Sequence, residues 1–194
     1  MKKGFFSILT FVLVALALCG SCKKAEATQQ QTVDTTQVVQ NQECVVPDRP
    51  EPAQFVNDFA GILGDVKELE DSLEAIAMTT SNQICVVTME DLGRFEPREM
   101  ATEIGKKWGV GDVEKNNGVI ILIKPKTAES KGQAFIAVGT GLEDVISNDA
   151  CTQIVYQEMI PHFKENDYLG GTWAGVQAVR DLAVTKFNEA AESE

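Results

Sequence analysis

The chain has 194 residues, of which 44% are hydrophobic and 24% are charged, as is ordinary for a globular protein. Its formal net charge of −12 argues against nucleic acid or anionic lipid as the main partner, because both require basic patches. The charge permits a cation or a basic protein as ligand, and an acidic surface that is merely solvated is the alternative interpretation.

The N-terminus is typical of a secretory signal peptide. Two lysines precede the nearly continuous apolar run 5–18, and two small residues precede Cys22. The apolar run is shorter than a membrane span of about 20 residues. The tripeptide 20–22 resembles the end of a bacterial lipobox, although Cys19 stands where leucine is usual. We therefore predict a signal peptide over residues 1–21 and a lipid anchor on Cys22, with an ordinary cleaved signal and a soluble product as the alternative.

Such an anchor would hold the protein on a membrane of the cell envelope, facing the periplasm. Residues 22–52 then form a predicted flexible linker, since glutamine and threonine dominate it and three prolines stiffen its end. We predict a folded domain over residues 53–190 and a short acidic tail over residues 191–194. No Cys-x-x-Cys pair outside the signal region suggests zinc or redox chemistry.

The hydrophobic periodicity of the domain predicts alternating helices and strands. A strand, helix, strand succession of this length predicts a parallel pair, and the short polar loop that follows predicts an antiparallel third strand. The expected result is a mixed sheet sandwiched by helices. The predicted elements in chain order are a helix between Gly64 and Ser81, a strand over Ile84–Met89, a helix over Pro97–Trp108, strands over Val119–Ile123 and Ala134–Val138, a helix with Asp149 as its N-cap, and a last helix over roughly Gly171–Ala190.

Acidic and amide side chains flank the two later predicted strands at one edge of the sheet. Because these strands are expected to run in opposite directions, the residues before one and after the other meet at the same edge. Asp58 lies before the first helix, but about seven residues of extended chain, at roughly 3.3 Å each, would let it cross the sheet. The oxygen donors expected at this edge are Asp58, Asp112, Asn116, Asn117, Glu143, Asp144 and Asp149.

Clustered carboxylates raise one another's pKa unless a cation or hydrogen bonds relieve them, and Ca²⁺ takes several oxygen ligands. The spacing from Asp112 to Asn117 does not fit an EF-hand loop. The alternative interpretation is that Asn117-Gly118 and Gly139–Gly141 are ordinary turns and that Asp149 only caps a helix.

Four segments in order resemble the TPM domain family. They are VNDFAGIL at 56–63, QICVVTM at 83–89, KKWGVGD with NNGVIILI within 106–123, and VGTGLEDVISND at 138–149. The resemblance covers residues 52–188 and implies an extracytoplasmic α/β fold, a three-layer, Rossmann-like α/β/α sandwich with a small mixed sheet. Many bacterial members carry a transmembrane helix and a glycine-rich tail after the domain, whereas here the tether is expected at the front.

The resemblance also implies a chemistry, because some members bind calcium or other divalent ions at the sheet edge and some are acid phosphatases. It places Asp58, Asp112, Asn117 and Glu143 at the family's acidic and amide positions, so these four residues are the predicted metal ligands. One hypothesis is a membrane-tethered accessory domain that binds a divalent cation, Ca²⁺ first, and an envelope protein during assembly, repair or stress. The alternative is a metal-dependent acid phosphatase, although no Asp-x-Asp or Cys-x₅-Arg nucleophile motif is present.

Overall fold

The computed structural model of the protein describes residues 45–192. The predicted signal peptide, the predicted lipid anchor at Cys22, the linker as far as residue 44 and the last two residues of the acidic tail lie outside the described residues. Within residues 45–192, no helix combines the length and the apolar character needed to cross a membrane.

The core of the domain is a four-stranded mixed sheet. The strands are β1 (Val56–Asp58), β2 (Gln83–Thr88), β3 (Gly118–Lys124) and β4 (Gln133–Val138), and they lie side by side in that order. β1, β2 and β3 are mutually parallel, whereas β4 runs antiparallel to β3. The predicted parallel pair and antiparallel third strand are therefore confirmed, and β1 is an additional strand that the sequence pattern did not indicate.

In the described part of the chain, six helical segments connect and cover these strands. They are α1 (Lys67–Thr80), α2 (Pro97–Trp108), α3 (Asn148–Gln153), a π-helical segment (Ile154–Met159), α4 (Ile160–Lys164) and α5 (Tyr168–Glu192). The predicted N-cap of α3 was wrong. Ser147 caps this helix from an extended backbone, and its hydroxyl accepts a 3.2 Å hydrogen bond from the Ala150 N–H, while Asp149 lies in the first helical turn.

The helices form a layer on each face of the sheet, as the three-layer prediction required. β3 shows the division, because Ile121 belongs to a core with α1, α5 and the π-helical segment, whereas Ile120 packs with α2. Successive side chains of a strand point to opposite faces, so a strand that is covered on both sides is apolar throughout. This explains the continuous apolar run of β3.

The last part of the predicted linker lies against the domain. Val46 packs on the core beneath α2, and the main-chain carbonyl of Pro47 accepts a 2.9 Å hydrogen bond from the Trp108 indole. The Arg49 guanidinium donates back to the Trp108 carbonyl at 3.0 Å. Residues 45–49 therefore fasten the start of the described chain to the C-terminal end of α2.

Candidate cation site at the sheet rim

A cleft of about 500 Å³ opens at the end of the sheet where β3 begins. Its walls come from α2, from β4 and from two loops. We call residues 109–117 the first loop, which joins α2 to β3, and residues 139–147 the second loop, which joins β4 to α3. Asp112 of the first loop and Glu143 of the second loop both line this rim cleft, as the antiparallel pairing of β3 and β4 predicts.

The two loops meet because glycines let their main chains approach closely. The Gly139 N–H donates to the Gly118 carbonyl at 2.8 Å, and the Gly141 N–H donates to the Asn116 carbonyl at 3.0 Å. A Cβ atom at Gly141 would lie 1.8 Å from the Lys115 carbonyl oxygen, which is far inside van der Waals contact. The contact therefore requires glycine at position 141, and it brings the Lys115 and Asn116 carbonyl groups of the first loop against the second loop.

Asp112 is held ionised at the entrance of the first loop. Its Oδ1 accepts 2.9 Å hydrogen bonds from the main-chain N–H groups of Glu114 and Lys115. The Lys115 N–H, followed by the Glu114 N–H, lowers the pKa of the Asp112 carboxyl below its usual value. These bonds engage one carboxylate oxygen and leave the second for a ligand.

Asn117 lies beneath the rim cleft and joins three parts of the chain. It is 4% exposed, and its Oδ1 accepts a 2.8 Å hydrogen bond from the Asp112 N–H. Its Nδ2 donates to the Ser81 carbonyl at 2.8 Å and to Asn82 Oδ1 at 3.1 Å. Both polar atoms of this amide thus serve the protein, so Asn117 positions Asp112 from below the cleft.

Glu143 is exposed, as Asp112 is, but differs from Asp112 and Asn117 because it has no side-chain hydrogen bond or ion pair within the part of the chain that the structure describes. Both of its carboxylate oxygens can therefore turn to a ligand in the rim cleft. The basic side chains of Arg98 and Lys106, on α2, line the same cleft. The position of Arg98 depends on how α2 packs against β4, which no local sequence pattern indicates.

The structure does not bring Asp58 to the rim cleft. In the register of the sheet, Asp58 is level with Thr88 and Ile123, whereas the cleft lies at Gly118. Gly118 and Ile123 stand at opposite ends of β3, roughly 16 Å apart at the rise of a strand. The separation arises because Asp58 ends a parallel strand, which delivers it to the opposite edge.

At that opposite edge, the Asp58 carboxylate organises its own loop. Its Oδ1 accepts a 3.1 Å hydrogen bond from the Ile62 N–H and another from the Thr88 hydroxyl. Its Oδ2 accepts a 2.8 Å hydrogen bond from the Leu63 N–H. Asp58 thus closes the turn that leads from β1 towards α1.

A cation in the rim cleft would have to accept main-chain and water oxygens besides carboxylates. Within residues 45–192, no three side chains of histidine, cysteine, aspartate or glutamate come together as a metal cluster. The cleft instead offers the carboxylates of Asp112 and Glu143 beside a main-chain turn and open solvent. Such a mixed oxygen set suits a hard cation with flexible coordination, such as Ca²⁺, more than a transition metal.

Comparison with known proteins places this architecture in a family. The model of the TPM domain family matches residues 56–182. The solution structure of the N-terminal domain of a protein from P. gingivalis is similar, with 26% identity, a TM-score of 0.61, and coverage of 70% of this chain and 85% of that chain. The N-terminal domain of the cg2496 protein from Corynebacterium glutamicum has the same fold, with 15% identity, a TM-score of 0.51 and coverage of 72% and 86%.

No curated protein matches the chain. The family model spans β1 to α5 and therefore includes both loops of the rim cleft. The chain belongs to the TPM domain family.

Proposed function

We propose that the protein is a membrane-tethered, extracytoplasmic TPM domain that binds a divalent cation, Ca²⁺ first, and serves as an accessory factor for another protein of the cell envelope. The observation that supports it most directly is the convergence of Asp112 and Glu143 on one cleft between two glycine-joined loops. The predicted signal peptide and the lipobox-like Cys22 support the proposed tether and the proposed location in the envelope.

In this proposal the two carboxylates have different tasks. Asp112 is a fixed anion, because the first loop holds one of its oxygens and Asn117 holds its main chain. Glu143 is exposed, so it closes on the cation from the second loop. Two carboxylates with carbonyl and water ligands give weak sites, with a dissociation constant of about 0.1 to 1 mM for extracellular modules.

Thermal unfolding tests the cation proposal. A ligand that binds only the folded state, present at about ten times its dissociation constant, adds roughly 1.4 kcal/mol, which raises the Tm by a few degrees. Ca²⁺ is expected to raise the Tm of the wild type and to have little effect on Asp112→Asn and Glu143→Gln. Glu129→Gln, an exposed change in the β3–β4 loop, is the matched control and should keep the full response. No Tm increase at millimolar Ca²⁺ would contradict the proposal.

The tether and the accessory role have their own tests. Cys22→Ala is expected to release the protein from membranes, and continued membrane retention would count against lipidation at Cys22. Crosslinking in intact cells, with Ca²⁺ or with a chelator, should then recover an envelope protein in a cation-dependent manner. If Glu143→Gln is crosslinked to the same envelope protein as efficiently as the wild type, partner binding does not depend on the cation.

The metal-dependent phosphatase remains the second candidate, because Arg98 and Lys106 line the same cleft as the carboxylates. Fixed positive charge beside a metal is what a phosphoryl group requires in its transition state. Hydrolysis of several phosphate esters, with and without Ca²⁺, Mg²⁺ or Mn²⁺, decides between the two functions. Turnover by the wild type that disappears in Glu143→Gln would contradict a purely accessory function. No turnover by the wild type, together with cation-dependent capture of a partner, would support the accessory function.

A further inference from the structure

A second cavity, of about 710 Å³, lies at the other end of β4 from the second loop. The start of α2 and the π-helical segment stand on either side of it, and the first residues of β4 form its floor. We call it the β4-start cavity. It shares Arg98 and Phe135 with the rim cleft but neither Asp112 nor Glu143, so its ligand would not need the proposed cation ligands.

The charge of the β4-start cavity is opposite to that of the whole protein. Arg98, Lys126 and Lys164 line it, and Glu96 is the single acidic side chain among its lining residues within the described range. Lys126 and Lys164 are exposed and form no ion pair within the described residues. In a chain with a net charge of −12, a concave surface with unpaired cations selects an anionic ligand.

Aromatic side chains surround these cations. The Arg98 guanidinium lies 5.2 Å from the centre of the Phe135 ring, and Phe163 stacks on Tyr168 with ring centres 5.3 Å apart. Tyr156, on the π-helical segment, lines the cavity and is 67% exposed. Tyrosine and arginine are enriched in binding hot spots, and both line this cavity; π-helical segments also recur at functional sites.

Within residues 45–192, the strand edge that forms the floor of the cavity has no partner strand. β4 ends the strand order, and the hydrogen bond from the Gly139 N–H to the Gly118 carbonyl sets the alternation of its pairing with β3. Counting in steps of two, Gln133 and Phe135 face β3, so the N–H and C=O of Ala134 point away from the sheet. An extended peptide can add to such an edge through main-chain hydrogen bonds.

We propose that the β4-start cavity binds an extended, acidic segment of the partner protein, which pairs with the outer edge of β4 at Ala134 and places a carboxylate among Arg98, Lys126 and Lys164. The inference rests on the proposed accessory function, because it states how the partner is held. α2 and the π-helical segment flank the strand edge on opposite faces of the sheet, which favours a single extended chain over the edge of a second folded domain.

Fluorescence anisotropy with a labelled peptide of alternating valine and glutamate tests this proposal on the wild-type protein. The same peptide with lysine in place of glutamate is the control, since non-specific attraction to an acidic protein would favour the basic peptide. We expect the acidic peptide to bind, to weaken as salt rises, and to bind about tenfold more weakly to Lys126→Glu, equivalent to about 1.4 kcal/mol. Lys67→Glu, at an exposed position of α1 outside the cavity, changes the net charge equally and should bind the acidic peptide as the wild type does.

A second probe does not depend on any variant folding correctly. N-methylation of alternate amides in the acidic peptide removes main-chain hydrogen bonds and should abolish binding to the wild-type protein. Equal binding of the acidic and basic peptides, unchanged binding of the methylated peptide, or equal effects of Lys126→Glu and Lys67→Glu would overturn the proposal. A missing peptide interaction with an intact Ca²⁺ response overturns this inference alone, whereas peptide binding without any Ca²⁺ response supports it and contradicts only the cation proposal.

Discussion

The side-chain oxygen of Asn117 accepts a 2.8 Å hydrogen bond from the main-chain N–H of Asp112. The same buried amide donates to Ser81 and Asn82, so a single side chain joins the first loop to the turn after α1. The position of Asp112 at the rim cleft is therefore determined from inside the protein. Asn117 therefore builds the rim, whereas Asp112 and Glu143 face the proposed ligand.

Asn117→Ala is expected to destabilise the fold. The substitution leaves buried Asn82 Oδ1, and the partly buried Asp112 N–H and Ser81 carbonyl, without their side-chain partner, which costs about 2 to 4 kcal/mol. Urea unfolding should show a lower midpoint with an unchanged slope. Lys115→Ala, an exposed change in the same loop, is the control and should leave the midpoint close to that of the wild type. Equal stability of the two variants would contradict the structural role of Asn117.

Asp58→Ala should reduce stability without reducing the Ca²⁺ response. The variant loses the acceptors for the Ile62 and Leu63 N–H groups and for the Thr88 hydroxyl, at a cost of about 2 to 3 kcal/mol. Thr88→Val removes only the hydroxyl and keeps the shape of the side chain. Because Asp58 and Thr88 share a hydrogen bond, the two free-energy changes should not add in the double variant. If Asp58→Ala loses the Ca²⁺-induced Tm increase while Thr88→Val keeps it, Asp58 is a ligand of the cation after all.

Gly141→Ala should disrupt the contact between the two loops. The new Cβ would meet the Lys115 carbonyl oxygen at 1.8 Å, so one loop must move, at a cost of roughly 3 kcal/mol. Gly64→Ala is the contrasting control, since its φ of +72° carries strain of about 1 kcal/mol but its Cβ meets no atom within 4 Å. Denaturant unfolding with and without Ca²⁺ should show a larger loss for Gly141→Ala and a lost Ca²⁺ response in that variant alone. A normal Ca²⁺ response in Gly141→Ala would show that cation binding does not require the contact between the two loops.

Acid stability should depend on Asp167, at the start of α5. Its carboxylate contacts His162 Nδ1 at 2.8 Å and accepts a 2.9 Å hydrogen bond from the Gly170 N–H. The bond to His162, and then that from Gly170, lowers the pKa of the Asp167 carboxyl from its usual value of 3.8. The folded state therefore binds the proton less readily than the unfolded state. The stabilising contribution is complete above the usual value and is lost as the pH falls through the lowered pKa.

Asp167→Asn should consequently flatten the dependence of unfolding free energy on pH below a pH of about 4, measured by urea titration at low ionic strength. Glu165→Gln is the matched control, because it removes a neighbouring exposed carboxylate and leaves the His162 contact in place. Identical pH slopes for the wild type and Asp167→Asn would rule out this contribution.

The sequence pattern predicted the parts of the fold in which hydrophobic periodicity is strong. β3 and α2 lie where the hydrophobic pattern predicted them. A short continuous apolar run is typical of a buried strand, and apolar residues spaced three and four apart are typical of an amphipathic helix. β1 has three residues, and two of them, Asn57 and Asp58, are polar, so no alternation marks it as a strand. The attachment of residues 45–49 depends on hydrogen bonds to Trp108, which are tertiary contacts without a local signal.

The rim cleft was predictable in part for the same reason. Antiparallel pairing of β3 and β4 necessarily brings Asp112 and Glu143 to one edge, which the order of elements already implied. The place of Asp58 depended on the direction of the unrecognised β1, and the extended-chain estimate allowed either edge. The inward turn of Asn117 could not be read from its position, because an amide in a turn serves a ligand and a loop equally well.

Titration of the isotopically labelled protein with Ca²⁺, followed by amide NMR shifts, locates the cation on the chain. A site at the rim cleft should give saturable shifts concentrated in residues 112–117 and 139–143, much smaller shifts around Asp58, and loss of the pattern in Glu143→Gln. Shifts centred on residues 58–63, shifts that persist unchanged in Glu143→Gln, or no saturable shift at millimolar Ca²⁺ would contradict a cation site at the rim cleft.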